Sequence, residues 1–131
     1  MPTPEVIRTT IMSHINASWT TTEIVFPNRS YKPKGDKWIR PAIIMGDSYE
    51  GEKGTDGLGL RTGVLMISVM TPANTGNKTG LDYATTLESL FRRRTMTGVM
   101  FSDPNTREIG LDDRGYYHVM VSVPFHAWIG D

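Results

Sequence analysis

The residues that could do chemistry in this chain are few, and their spacing keeps them apart. Gly76-Asn77-Lys78-Thr79 stands where a strand would give way to a helix, the place of a phosphate-binding loop. Such a loop wraps phosphates in backbone amides and needs G-x-x-x-x-G-K-[ST]. With Lys78 and Thr79 aligned, Pro72 and Asn77 fall on the two glycine positions, so the tetrapeptide reads as a polar loop with a helix cap. His118 and His126 share one face of a strand but stand roughly 27 Å apart at strand rise. His14 has no second ligand one helical turn away, whereas a zinc site needs three or four convergent ligands. Asp112-Asp113 sits in a turn, where Asp bonds its own backbone. Glu50 and Glu52 lie in a glycine-rich segment that offers nothing to preorganise a general acid and base. No serine occupies a G-x-S-x-G elbow. The reading is no catalytic residue, no metal and no cofactor.

One basic run remains, Arg92-Arg93-Arg94. It has three readings: phosphate contact, solvated cations at a helix end, or a pairing surface for acidic residues of a neighbouring subunit. Composition argues against a dedicated nucleic-acid binder, because 14 basic and 14 acidic residues leave a formal net charge of +0. Zero cysteines exclude a disulfide framework and a thiol nucleophile. The N-terminus shows no basic segment followed by an apolar one, and the longest apolar stretch, 64–70, is far below the ~20 residues that span a bilayer. A cytoplasmic site of synthesis and no membrane are therefore expected.

The elements that would position these residues are legible from periodicity. Ile7, Ile11 and Ile15 recur every fourth residue after Thr3-Pro4-Glu5, predicting a helix that fades at 16–19. Short extended pieces follow at 23–26 and 38–45, then a glycine-rich loop at 46–59 expected to be mobile, then a central strand at 60–71. Leu81, Ala84, Leu87, Leu90 and Phe91 predict a second helix over 79–94, with the three arginines in its last turn. Strands at 98–101, 107–111 and 116–128 close the chain, the last two across the turn signal Asp112-Asp113-Arg114-Gly115. The expected class is α+β: one domain over 1–131, two helices on one side of a mostly antiparallel sheet, in the order α-β-β-β-α-β-β-β. Trp19, Trp38 and Trp128 at segment ends, and Met66, Met70 and Met120 among the sheet residues, are more apolar material than two helices can cover. Some of it is expected either under loops or against another chain.

The C-terminal half carries a resemblance. Gly80-Leu81-Asp82-Tyr83-Ala84 leading into Leu87-Glu88-Ser89-Leu90-Phe91, then a hairpin ending Val119-Met120-Val121-Ser122-Val123-Pro124-Phe125-His126-Ala127-Trp128, resembles the tail terminator (minor tail protein U-like) family of long-tailed bacteriophages. The resemblance spans essentially the whole chain through size, element order and strand pattern. It implies a non-enzymatic virion protein that forms a ring, hexameric in the family, on the head-proximal end of the tail tube. There it would stop tube polymerisation and offer a surface for head joining. The implied partners are further copies of the chain, the tail tube protein and a head–tail connector, with DNA sliding through the channel unbound. A connector or other minor tail role is the near alternative, and a small α+β enzyme or ligand-binding domain with an interface site is the alternative of another class. Trp38, Glu50, Glu52, Arg92, Arg93 and Arg94 are the expected contact residues.

Overall fold

A computed structural model describes residues 4–26, 37–50, 59–72, 78–111 and 115–129, of which 47–50, 59, 128 and 129 are described by backbone alone. Helix α1 (Pro4–Ser18) begins at a proline, whose fixed φ suits the first helical position, and has Glu5 in its first turn. Ile7, Ile11 and Ile15 are wholly buried along one stripe. Fifteen residues make a marginal helix in water. Burial of three isoleucines at about 1.5–3 kcal/mol each is what holds it. Trp19 closes the end, its backbone N–H donating to the Ile15 carbonyl at 2.8 Å while its ring meets Tyr83 edge-on.

The strands are β1 (Glu23–Ile24), β2 (Trp38–Glu50), β3 (Gly59–Pro72), β4 (Thr95–Met96), β5 (Val99–Phe101), β6 (Asn105–Leu111) and β7 (Tyr116–Ile129). Helix α2 (Lys78–Phe91) stands between β3 and β4. They form one sheet in the order β1-β2-β3-β7-β5-β4, with β6 also on β7. Every pairing is antiparallel except the two-residue contact of β1 with β2. The α+β class, and the order of helices and main strands, are as the sequence predicted.

One face of the sheet and both helices share the core. Leu65, Ile67 and Val69 of β3, with Val119, Val121, Val123, Phe125 and Ala127 of β7, alternate onto that face and are almost fully buried. Leu87 and Phe91 of α2 and the isoleucines of α1 pack on them. Gly80 opens α2 against β3 and β7, since a Cβ there would stand 3.0 Å from a Val119 methyl. His14 ties the helices together by a 2.9 Å hydrogen bond to the Leu90 carbonyl and an edge contact on Phe91.

Pro124 sits within a central strand, where a missing donor would normally break the ladder. Its backbone faces the break between β5 and β6, and its carbonyl accepts the Ser102 N–H at 2.9 Å, so no donor is missed.

Four boundaries differ from expectation. Helix α2 ends at Phe91, so Arg92, Arg93 and Arg94 follow the helix and do not form its last turn. Arg93 takes a left-handed φ of 52°, and the Arg94 N–H returns to the Phe91 carbonyl, a turn that closes the helix. A strand pair absent from the sequence reading, β4 with β5, turns through Thr97 (φ 48°) and Gly98 (φ 79°), the two positive angles of a tight hairpin. Strand β6 starts two residues earlier than predicted, at Asn105. The β2·β3 ladder runs through Glu50↔Gly59, so strand replaces loop at 46–50 and 59; residues 51–58, where the mobile loop was expected, lie outside the described residues.

Candidate assembly surfaces

The second face of the sheet has no helix over it. Register places Arg40–Ser68–Met120–Arg107 in one row across β2, β3, β7 and β6, and Ala42–Met66–Ser122–Asn105 in the next. Ile44–Val64–Pro124 follows on three strands. These side chains are half-buried or exposed, with Ile44 at 55% and Ile109, beside the β6 bulge, at 52%. One face of this antiparallel sheet is thus buried, and the other is half-buried to exposed with apolar and polar side chains mixed.

Two open depressions mark the face. One of about 570 Å³ is lined by Ile44, Leu60, Val64, Pro124 and His126 among others. The second, about 530 Å³, lies between Met66, Met120, Arg107 and Ile109. The first is walled mainly by apolar side chains, and the second by Asn105, Thr106, Arg107 and Ser122 as well as by apolar ones. Among the described residues no three His, Cys, Asp or Glu side chains converge as a metal site would need.

At one end of this face Trp38 packs with Val25, Met70 and Tyr116 in a small second cluster. Trp38 is 5% exposed, its ring edge-on to Tyr116, with the Arg40 guanidinium 5.0 Å from its centroid. It lies on this face among those neighbours and presents almost no surface of its own.

The basic run has a different character from residue to residue. Arg92 pairs with Glu88 at 2.7 Å, and Glu88 also accepts from the Thr106 hydroxyl, tying α2 to β6. Arg93 donates to Asp103 at 2.9 Å, and that hydrogen bond, with the charge behind it, holds the Asp103 carboxyl below its ordinary value. Arg94 is exposed and has no ion-pair partner among the described residues. Of the acidic residues expected at contacts, Glu50 ends β2 with only its backbone described, and Glu52 lies outside the described residues.

The sequence pointed to Met66 and Met120 correctly as apolar material away from the helices. It missed Arg40, Ile44, Arg107 and Ile109, and the only signal available was strand alternation at 38–45 and 107–111.

A family model described as phage tail terminator protein matches residues 6–125. The chain belongs to the phage tail terminator family. It is thus a structural protein of a bacteriophage tail, and its place is the virion tail. No curated protein matches the chain in sequence. A solved structure 15% identical superposes with a TM-score of 0.73 over 97% of this chain and 96% of its own, a likeness of fold. Among the described residues no helix is long and apolar enough to cross a membrane.

Proposed function

We propose that this protein forms a ring, of six copies, on the head-proximal end of the tail tube. The ring stops tube polymerisation and presents the surface to which the head joins through its connector. The chain acts as one domain over 1–131, and DNA passes through the open centre without specific contacts.

Family membership supports this reading, and the uncovered face of the sheet carries it. A ring is built from head-to-tail contacts, so each copy needs two unlike patches that fit each other. The sheet offers candidates for them: a partly apolar face with Ile44 exposed near the β2 side and Ile109 near the β6 side. Arg94 is free to meet a neighbour's carboxylate, with Arg92 and Arg93 already engaged within the chain. The net charge of +0 suits a channel through which DNA slides.

Native mass spectrometry over a concentration series, followed by negative-stain imaging, tests it. A species of about 88 kDa, six times the 14.7 kDa chain, with an open centre is the expected result. A compact dimer or trimer with no channel refutes it. Where the chain stays monomeric, it is mixed with purified tail tubes, and failure to cap one end of the tube refutes the proposal equally.

A further inference from the structure

We propose that β6 is a latch: it leaves β7 as a unit while the rest of the domain stays folded, and Glu88 of α2 is the catch that holds it shut. The latch belongs to the single chain, so it holds or fails apart from the ring.

Segments open locally where buried apolar contacts are few and backbone hydrogen bonds lie at the surface. Strand β6 meets both conditions. None of its seven residues is buried. Ile109 and Leu111 are 52% and 68% exposed, and no residue of the strand joins either apolar cluster. Its ladder runs to β7 alone, and among the described residues no strand lies on its other side. A bulge between Glu108 and Gly110 interrupts even that ladder.

The neighbouring elements are held differently. Strand β5 shares the same edge of β7, yet it sinks Val99 and Phe101 into the core. Beyond it the Ser102 N–H donates to the Pro124 carbonyl at 2.9 Å, and Pro104 is buried. The chain is therefore anchored as far as residue 104 and free to part from β7 from Asn105 onward. Strand β7 does not need β6 to stay in place. On its other edge β3 pairs with it from Gly59↔Ile129 to Pro72↔Tyr116, and Val119 lies against Gly80 of α2. Opening β6 gives up strand pairing and no core.

The catch is a side chain from another element. Glu88, with its side chain only 18% exposed, accepts the Thr106 hydroxyl on one carboxylate oxygen and Arg92 at 2.7 Å on the other. A charged acceptor makes this bond stronger than a neutral one. Arg92 keeps the carboxylate in position whether β6 is closed or open, so the catch is set for the strand to return. Thr106 stands one residue inside the strand, next to the anchored chain, where a single tie acts on the start of opening. The bond from the Tyr117 hydroxyl to Glu108, 2.7 Å, lies farther along at the exposed surface, where water competes with it.

The geometry of β7 supplies a readout that separates the latch from unfolding of the whole domain. The Pro124 carbonyl turns toward Ser102, so even-numbered residues of β7 direct their backbone to β5 and β6. The amides of Met120 and Ser122 then bond β6, while those of Val119 and Val121 bond β3. Residue-resolved hydrogen exchange on the full chain, over low urea concentrations, compares the two sets, with thermal melting as the check on folding. The Met120 and Ser122 amides are expected to exchange together with β6, at least about 10-fold faster than those of Val119 and Val121 and with little dependence on urea. Thr106→Val removes the donor, keeps a β-branched residue and leaves Glu88 on Arg92. It should speed the first set by about 5-fold and leave the second unchanged. Equal rates in the two sets of the parent overturn the latch. A difference between the sets that Thr106→Val does not widen, or an acceleration of both alike, overturns Glu88 as the catch.

Discussion

Gly63 is the position where the packing of the sheet can be tested by one methyl group. It lies on β3 between Met45 of β2 and Phe125 of β7 and is buried. A Cβ there would stand 2.5 Å from Phe125 Cζ and 2.9 Å from the Ile44 carbonyl oxygen. Phe125 is 2% exposed and packs against Phe101, so its ring has no free space to enter. The carbonyl belongs to the adjoining strand and retreats only by loosening the β2·β3 ladder. Overpacking of this kind costs about 1–3 kcal/mol, partly offset by about 0.5 kcal/mol from replacing a strand glycine. Gly63→Ala should therefore lose about 1–2 kcal/mol. With an unfolding entropy of about 2.1 cal/mol/K per residue over 131 residues, that is a fall in Tm of about 3–8 °C. Gly80→Ala is the contrast, because only a methyl of Val119 at 3.0 Å must give, and the helix gains up to about 1 kcal/mol. It should melt at or above the parent temperature. Calorimetry on the three proteins checks this, and a Gly63→Ala protein melting within 1 °C of the parent, a window of about 0.3 kcal/mol, would refute the close approach of these strands.

Glu88→Ala removes the acceptor shared by Arg92 and Thr106 and should cost about 1–2 kcal/mol, with faster amide exchange along β6. Asp103 titrates below its ordinary value of 3.8 because Arg93 hydrogen-bonds and charges its surroundings, so Arg93→Gln should move that carboxyl back up toward 3.8 by NMR titration. The sign follows from linkage: the stabilisation is complete above 3.8 and is lost as pH falls through the lower folded value, so acid melting curves of parent and variant should converge there. Arg94→Glu should leave the melting temperature within the range of a neutral surface change, about 0.5 kcal/mol, yet raise the concentration needed for assembly, read by native mass spectrometry. An assembly unchanged by Arg94→Glu removes that residue from the contacts.

How much could be read in advance follows from which signals are local. The isoleucines of α1 and the long alternation of β7 are periodic over enough residues to override any single neighbour, and both elements stand where the pattern put them. The end of α2 was misplaced because arginine is a good helix former; its stop is set by the left-handed Arg93, which no cap residue announces. Thr97-Gly98 lacks the Asn or Asp that signals a tight hairpin, so β4 went unread. The surface was hidden for another reason. Whether Ile44 and Ile109 are exposed depends on which strands flank β2 and β6, and that is a property of the sheet order. The three arginines look alike as a run, but Glu88 and Asp103, brought in from α2 and the β5–β6 connection, distinguish them.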